Sequence, residues 1–572
     1  MSHPPIGIDL GTSTSIVSYF VDGKPVPIPD PQTKTPIVPS VVGLTRSGEL
    51  LVGQRAIDRS FDNMEVREAK RGMGKGNRYQ LGNQSYSAEE VAAVVLRYLK
   101  GIAEGRVGRP VRDVVLTVPA NYTDERRKAT MAAAAMADLN VVRLVNEPTA
   151  AAMAFGIDNQ DKEGLFLVYD FGGGTLDVTV LEMIAGVLEV KTSWGVEELG
   201  GKDFDERIME WAHARFMAAH PTAQTVPAAE KMLKRAAEEA KKDLSSVLSA
   251  SVHVDNYAED GGSDVDLDEP ITRPQFEQLI ADLIAKSLTA VDEALERAGV
   301  GRSEISQVLL VGGATWVPAV RNAVIDHMGR PAVAGCDPDL AVSLGACVSA
   351  AIGAGYISPE KGLVVQDVST YGLGTLMVTD IGGRRVLAYD ELMPPNTPVP
   401  FTTTCGGYHL QRLDQDAMHV SLVQDITPDG SAVRPDETHC ITEGELVGIP
   451  PSRTSEPHEV ELQFSYDTNG IVVLTASLPS LEKQLTLQHQ LRAGTSTPSA
   501  SLDRVDELWD QAPLAQKHAT WVRRAEEHLA TDPPNAEALS TALVSLKTHI
   551  SMNDATQAEE ARGRLIELLA DA

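Results

Sequence analysis

Short apolar runs alternate with amphipathic helical stretches along the first 354 residues of the chain. The apolar runs, such as residues 165–169 and 308–311, have the length of buried strands. Between such runs lie stretches with helical periodicity, at residues 88–102, 123–137, 202–219 and 273–298. Strands and helices that alternate in this way predict an α/β fold.

The pattern changes twice after residue 354. From residue 368 to residue 490, short β-runs are separated by Gly, Pro and Asn, which predicts an antiparallel all-β domain. From residue 501 the pattern is helical, because four apolar residues fall on one helical face: Leu539, Leu543, Leu546 and Ile550. The predicted units are a first domain at residues 1–356, a linker at 357–368, a β domain at 369–492 and a helical region at 500–572.

Two loops of acid, glycine and hydroxyl residues each join two apolar runs. The first reads DLGTST from Asp9 to Thr14, and the second reads DFGGGTLD from Asp170 to Asp177. Glycines let the backbone approach a phosphate chain closely, and hydroxyl and amide groups donate hydrogen bonds to its oxygens. Carboxylates repel phosphate but are ligands of Mg²⁺. The pair predicts two similar half-domains that close on one nucleotide.

A third glycine motif follows the apolar run at residues 308–311. Gly312 and Gly313 come directly after it, and a helical pattern begins near Pro318. Alone, two glycines after a strand indicate a tight turn. After two phosphate loops in this order, they predict a surface against which adenosine lies.

These motifs resemble the ATPase domain of DnaK-type (70-kDa) heat-shock chaperones, within the wider actin and sugar-kinase superfamily. Four more segments carry the resemblance: EAKR at residues 68–71, VPA at 118–120, NEPTAAA at 146–152 and LGGKDFD at 199–205. The resemblance runs almost unbroken from residue 6 to residue 354. It implies an α/β actin-like ATPase domain of two lobes with ribonuclease-H-like subdomains.

The β domain resembles the peptide-binding module of the same chaperones. The matching segments are GELVGIPP at residues 444–451 and FSYDTNGI at residues 464–471. Actin and the sugar kinases have no such module. The resemblance therefore implies an antiparallel β-sandwich that binds peptides, followed by a short α-helical lid.

The resemblance also implies which residues bind nucleotide and metal. Asp9, Asp170 and Asp177 would hold hydrated Mg²⁺, and the same acidic cluster is suited to K⁺. The phosphates of ATP or ADP would lie against Gly11, Thr12, Ser13, Gly172, Gly173, Gly174 and Thr175. The remaining nucleotide contacts would come from Gly200, Gly201, Glu238, Lys241, Lys242, Ser245, Gly312, Gly313 and Asp339.

Phosphoryl transfer to water depends mainly on positioning and charge stabilisation. By resemblance, Lys70 brings positive charge to the γ-phosphate and orients the attacking water, while Glu147 positions water or metal. Asp170 and Thr175 complete the implied catalytic set. By residue type alone, Lys70 would be a solvated surface charge and Glu147 an ordinary residue at a helix start.

Further positions match parts of the chaperones that communicate between domains or bind partners. Pro119, Arg127, Arg143, Asn146 and Asp367 match the relay and the surface that meets a J-domain co-chaperone. A nucleotide exchange factor is a further expected partner. Met418, Val420 and Leu422 alternate on one face of a β-run and would line the peptide groove, or alternatively form the core of the domain.

The chain departs from the family pattern at several positions. Lys242 stands where an arginine usually stacks on the base, Trp316 replaces another common arginine, and Ala314 replaces a common serine. Arginine and lysine differ in stacking, so altered nucleotide affinity is expected. Gln366 places a polar group in the linker, which predicts weaker coupling between domains. The shortened segment at residues 77–87 and the short helical region predict a specialised bacterial paralogue.

The charge balance narrows the possible partners. The 572 residues include 50 Lys and Arg against 80 Asp and Glu, a net charge of −30. Such a surface repels nucleic acid and anionic membranes. The four cysteines show no paired spacing, no apolar run is long enough to span a bilayer, and the first five residues lack signal-peptide features. A cytoplasmic protein is expected.

The expected function is that of an ATP-driven chaperone. ATP binding would open the β domain, and hydrolysis would close it on an extended apolar segment of an unfolded client. One alternative is a nucleotide-dependent scaffold with weak or no hydrolysis, which Gln366, Lys242 and Trp316 suggest. Another is a sugar-kinase-type phosphotransferase, for which the sequence offers no acceptor-site motif.

Overall fold

The architecture comes from a computed structural model. It describes residues 3–60, 64–159, 162–184, 186–333, 337–357, 364–366, 368–369, 371–381, 384–427, 430–467, 471–490, 513–529, 535–551 and 554–570. Within this part of the chain, strands and helices alternate up to Gly353, strands predominate from Val364 to Gln490, and helices follow. The expected mixed α/β fold class is confirmed, while the predicted domain boundaries stay predictions.

The first lobe is built around a sheet with the strand order β11-β10-β1-β2-β3, with β4 paired to β2. Strands β1 and β10 are parallel, while β1, β2 and β3 form an antiparallel meander. The elements are β1 (Ile6–Leu10), β2 (Thr14–Val21), β3 (Lys24–Pro27), β4 (Val38–Pro39), β5 (Val42–Leu44), β6 (Leu50–Val52), α1 (Gln54–Arg59), β7 (Glu65–Val66), β8 (Arg78–Leu81), β9 (Gln84–Ser87), α2 (Ala88–Val107), β10 (Asp113–Val118), α3 (Asp124–Met136), β11 (Asn140–Asn146) and α4 (Glu147–Asp158).

The second lobe repeats this pairing pattern. Its sheet has the order β18-β12-β13-β14-β19, with β12, β13 and β14 as the antiparallel meander and β18 parallel to β12. The elements are β12 (Gly164–Phe171), β13 (Leu176–Ile184), β14 (Val187–Val196), α5 (Gly201–Ala219), β15 (Gln224–Thr225), α6 (Ala229–Ser246), β16 (Ser249–Asp260), β17 (Ser263–Thr272), α7 (Arg273–Leu279), α8 (Ala281–Ala298), β18 (Ile305–Val311), α9 (Pro318–Met328), α10 (Ala341–Gly353) and β19 (Val364–Gln366). In each lobe, the glycine loop connects the first two antiparallel strands, β1 to β2 and β12 to β13. Both glycine loops are therefore hairpin turns.

The three largest apolar cores among the described residues lie in this part of the chain. One joins the first sheet to α2 and α3, and another joins the second sheet to α5–α9. The third lies where α4 and α10 pack against each other and contains Val115, Phe166 and Ala346. A Cβ atom at Gly345 would lie 1.6 Å from the backbone oxygen of Ala150, so glycine is required for this close crossing.

The β domain consists of two four-stranded sheets, ordered β21-β20-β23-β24 and β22-β25-β26-β27. Their facing side chains form one core around Phe464, Leu422 and Leu474. The strands are β20 (Leu373–Ile381), β21 (Arg384–Met393), β22 (Phe401–His409), β23 (Ala417–Asp425), β24 (Thr438–Val447), β25 (Glu459–Tyr466), β26 (Ile471–Leu478) and β27 (Lys483–Gln490). A sandwich is therefore formed where the sequence predicts one.

Three helices follow, namely α11 (Pro513–Leu529), α12 (Ala536–Ser551) and α13 (Ala555–Ala570). The predicted apolar stripe is correct, because Leu539, Leu543 and Leu546 are buried in the core that these helices share. Helix α12 also packs against α2 of the first lobe. One helix prediction was wrong in detail: residues 273–298 form two helices separated at Ile280, and capping by Thr272 begins the first.

The predicted linker contributes a strand to the second lobe. Val364, Val365 and Gln366 form β19, which pairs in parallel with Val187, Leu188 and Glu189 of β14. Asp367 lies outside the described residues, so its predicted role is not tested. Among the described helices, none is long and apolar enough to cross a membrane.

Candidate functional site

A cavity of about 650 Å³ lies between the two lobes, at the hairpin turns of their sheets. Eighteen of the predicted nucleotide, metal and catalytic residues line it: Asp9, Gly11, Thr12, Ser13, Lys70, Glu147, Asp170, Gly172, Gly173, Thr175, Gly201, Glu238, Lys241, Lys242, Ser245, Gly312, Gly313 and Asp339. Trp316, the position of an expected departure from the family pattern, lines it too. The structure therefore brings together segments that are far apart in the sequence.

The two glycine loops touch each other at the base of this cavity. A Cβ atom at Gly173 would lie 2.0 Å from Oγ of Ser13, and one at Gly200 would lie 2.5 Å from the backbone of Gly173. Gly174 accepts a hydrogen bond from the Arg71 side chain at 2.6 Å. Side chains at these glycines would fill the space where the loops approach, which explains the residue type in physical terms.

Lys70 is buried at the centre of the site. Only 6% of its side chain is exposed, and its Nζ lies 2.6 Å from Oε1 of Glu147. The Tyr122 hydroxyl donates to the Lys70 backbone oxygen at 3.2 Å and fixes the short 3₁₀ turn at Ala69–Gly72. The alternative of a solvated surface lysine is therefore wrong, and Glu147, the first residue of α4, has a cationic partner.

Burial and mutual repulsion act on the carboxyl groups of the site. Burial, together with the charge of Glu147, raises the pKa of Asp9 to about 7 and that of Asp177 to about 8, and raises the pKa of Asp170 well above its usual range. Burial alone would lower the pKa of Lys70, but Glu147, Tyr122 and Asp9 raise it overall. A cation at this place would relieve the repulsion among the carboxylates.

The predicted metal residues do not form a direct coordination shell. Within the described ranges, no group of three or more His, Cys, Asp or Glu side chains is placed to hold a metal ion. Asp9 accepts a hydrogen bond from Thr117 at 3.1 Å, and Oδ1 of Asp177 is buried without a hydrogen-bond partner. This group of acids suits a hydrated Mg²⁺ ion, which they would contact through its water molecules.

Helix α6 and the loop after β18 also line the cavity. The Lys241 ammonium is held by Asp205 at 2.7 Å and by the backbone oxygen of Gly201 at 2.9 Å. Lys242 pairs with Glu238 at 2.7 Å. Gly312 has a φ of +82°, and a Cβ atom there would lie 2.5 Å from the backbone oxygen of Phe171. Only glycine therefore allows the backbone at residue 312 to lie this close to Phe171.

A model of the protein family described as Hsp70 protein matches residues 5–80 and 76–571 of the chain. The match spans nearly the whole sequence. The chain belongs to the Hsp70 family. Members of this family are in general ATP-dependent chaperones that bind ATP or ADP with Mg²⁺, unfolded clients and co-chaperones. The DnaK-type resemblance is therefore confirmed.

Two of the positions predicted to relay signals within this Hsp70 member, Arg127 and Asn146, contact each other beside the site. The Arg127 side chain donates to Asn146 at 2.8 Å and to the backbone oxygen of Ala120, next to Pro119. Arg143 donates to the Ser349 hydroxyl at 3.5 Å. Asn146 directly precedes Glu147, which lines the cavity.

The β domain of this Hsp70 member contacts the second lobe and the loop after β10. The Tyr371 hydroxyl donates to the backbone oxygen of Asn121. Oδ1 of Asn396 accepts from the Thr192 hydroxyl at 3.1 Å and from the backbone N–H of Ser193 at 3.4 Å. Neither Tyr371 nor Asn396 was predicted, because single polar residues in loops carry no recognisable pattern.

The residues predicted to line the peptide groove are buried in the sandwich. Met418, Val420 and Leu422 point into its core, and Met418, the most exposed, has 8% of its surface accessible. This placement agrees with the alternative interpretation, in which they form the core of the domain. Their role in a groove remains a prediction.

Several residues that line the nucleotide cavity were missed in the sequence. They include Thr14, Thr35 and Gln54. Thr14 is the last hydroxyl of the first loop and could have been included on that basis. Thr35 and Gln54 lie in no glycine motif, so nothing in the local sequence indicates them.

Proposed function

We propose that this chain hydrolyses ATP in the cavity between the two lobes and uses the cycle to bind and release extended apolar segments of unfolded proteins. The observation that carries the proposal is the buried Lys70–Glu147 pair, which lies between two glycine loops and beside Asp9 and Asp170. A buried lysine beside several buried acids supplies positive charge where a phosphate chain would lie. Phosphoryl transfer to water is accelerated mainly by positioning and by stabilisation of negative charge, and it requires no covalent intermediate with the protein.

Lys70 is proposed to stabilise the negative charge that develops on the γ-phosphate. Its position is set by Glu147 and by Tyr122, whose ring also lies 3.9 Å from the Arg126 guanidinium carbon. Glu147 is proposed to orient the attacking water, and the Thr175 hydroxyl to lie against the phosphates. Gly11, Ser13 and Gly173 would admit the phosphates close to the backbone.

Asp9, Asp170 and Asp177 are the residues proposed to hold Mg²⁺ through its waters. When bound, the ion would neutralise charge on the phosphates. The same acids are proposed to accept K⁺. The buried, unpartnered Oδ1 of Asp177 is the feature of this chain that supports a cation there.

Coupling to the β domain is proposed to pass through the loop after β10. Pro119 and Ala120 lie between Thr117, which donates to Asp9, and Asn121, whose backbone oxygen accepts from Tyr371. A shift of Asp9 on phosphate binding would therefore be transmitted over a few residues to the sandwich. The pairing of β19 with β14 provides a second connection.

The proposed partners are extended apolar client segments, a J-domain co-chaperone and a nucleotide exchange factor, in the cytoplasm. Arg127, Arg143 and Asn146 are proposed to contribute to the co-chaperone surface, and the resemblance adds Asp367 to this set. The peptide groove is proposed to include Met418, Val420 and Leu422, and α11–α13 are proposed to act as a short lid.

Steady-state ATP hydrolysis by the purified full chain tests this proposal. Turnover that rises with an unfolded peptide and a J-domain protein is expected. Nucleotide binding without any turnover would instead support the scaffold. Transfer of phosphate to a sugar in place of water would support the kinase. The intact Lys70–Glu147 pair favours hydrolysis over the scaffold.

A further inference from the structure

Trp316 is an exposed aromatic side chain that lines the proposed nucleotide cavity. It ends a 3₁₀ turn at Gly313–Trp316, directly after β18, and half of its surface is accessible. Large aromatic side chains are usually buried in soluble proteins, and an exposed one in a cavity is a candidate for ligand contact. Trp316 is therefore a candidate for contact with a ligand in this cavity.

The indole of Trp316 is held in place before any ligand binds. Its Nε1–H donates to Oδ2 of Asp339 at 2.9 Å, and the Asp339 backbone N–H donates to Asp337 at 3.0 Å. The turn is fixed by two hydrogen bonds from Thr315 to the Gly312 oxygen, at 2.7 and 3.0 Å. Such a ring presents its surface at little conformational cost, which favours binding.

Helix α6 also lines this cavity, and Trp316 is the one aromatic side chain among the described residues that line it. Lys242, Glu238 and Ser245 lie there. The Lys242 ammonium is held by Glu238, and 67% of its side chain is exposed, so mainly its aliphatic stem is available to a ligand. The Ser245 hydroxyl donates to the Lys241 backbone oxygen. A flat ligand would therefore find its main stacking surface on Trp316.

We propose that Trp316 is the stacking residue for the nucleotide base and gives the site its preference for a purine. This inference rests on the proposed nucleotide function and deepens it. Indole has a large π surface, and overlap with a two-ring base exceeds overlap with a one-ring base. Stacking of one base on an aromatic side chain contributes about 10- to 100-fold in affinity.

Equilibrium calorimetry with ADP and the full-length chain tests this role without requiring hydrolysis. Trp316→Ala should weaken ADP binding about 10- to 100-fold, while Trp316→Phe should retain most of the affinity. The ratio of ADP to UDP affinity should fall in Trp316→Ala. Binding of inorganic tripolyphosphate should not change, because that probe has no base.

Tryptophan fluorescence provides a second measurement. The chain has five tryptophans, and ADP should quench the component that disappears in Trp316→Phe. Trp211→Phe is the matched control, because Trp211 lies on α5 beside Arg215 and is not among the described residues that line the cavity. That variant should keep both the quench and the affinity.

The outcomes separate this inference from the proposed function. Wild-type protein that binds neither ADP nor ATP would overturn both. Wild-type protein that hydrolyses ATP, together with a folded Trp316→Ala that binds ADP with unchanged affinity and an unchanged purine preference, would overturn the stacking role alone. Circular dichroism melting of each variant establishes that it is folded, which a half-exposed position should permit.

Discussion

Ion pairs across the nucleotide cavity should control how fast nucleotide leaves it. The Glu65 side chain is fully buried and contacts Arg67, Arg235 and Lys231. Arg67 in turn lies 3.2 Å from Glu238. Residues 65–67 belong to the first lobe, whereas the other partners lie on α6, so we name this set the cross-cleft ion pairs. The adjacent Glu68 adds contacts to Lys234 at 2.7 Å and to Lys202 at 3.9 Å.

Glu65→Gln removes the central charge of the cross-cleft ion pairs and keeps the side-chain shape. Three cations then lose their shared carboxylate, and removal of one partner from a buried pair costs about 3–5 kcal/mol. The cations here are partly exposed, with 18–35% of their side chains accessible, so solvent reduces the loss to about 2 kcal/mol. If this loss of about 2 kcal/mol destabilises the closed arrangement of the lobes, ADP should be released about 30-fold faster.

Stopped-flow release of a fluorescent ADP analogue measures this effect. The matched control is Glu49→Gln, which removes an ion pair with Arg55 that lies within the first lobe. Its release rate should equal that of the wild type. Added salt should accelerate release in the wild type more than in Glu65→Gln, because screening weakens the same ion pairs. A folded Glu65→Gln protein with the wild-type release rate would refute the reasoning.

Three further predictions concern catalysis, partner binding and acid stability. Lys70→Ala should leave ATP binding nearly intact and lower single-turnover hydrolysis at least about 100-fold, or about 2.7 kcal/mol of barrier; an unchanged rate would exclude its proposed role. Arg143→Asp should abolish stimulation by a J-domain protein while basal hydrolysis persists; surviving stimulation would place that partner elsewhere. Burial lowers the pKa of His518 from its usual 6.5, and neither ring nitrogen has a hydrogen-bond partner in the described structure. The unfolded state then binds more protons below pH 6.5, so α11–α13 should lose stability as pH falls through that range. Burial also lowers the pKa of His549, so melting of His518→Leu should show a weaker pH dependence than the wild type, and an unchanged dependence would exclude the role of His518.

The sequence predicted the parts of the site that depend on local chemistry. Gly173 and Gly312 could be recognised because close backbone approach demands glycine wherever it occurs. The separation of three structural regions was also predictable from periodicity. The break at Ile280 was missed, since its helical pattern continues through residues 273–298.

The remaining features depend on contacts between distant segments. Burial of Lys70 follows from Glu147 and Tyr122, and neither the charge nor the neighbours of Lys70 in the sequence indicate it. The cross-cleft ion pairs likewise join segments about 170 residues apart, as Arg67 and Glu238 do. Met418 shows the opposite difficulty, because an alternating apolar strand has the same pattern whether it lines a groove or a core.

The tight crossing of α4 and α10 has a mechanical consequence. With the Gly345 position so close to the Ala150 backbone oxygen, the helices cannot approach further, and sliding would bring bulkier residues into the contact. A relative rotation of the lobes would then pivot near this crossing, and atoms would move in proportion to their distance from it. Glu147, at the start of α4, would be displaced little, whereas the outer ends of the lobes would swing through a larger arc. The geometry around Glu147 would thus be preserved while the entrance of the cavity opens.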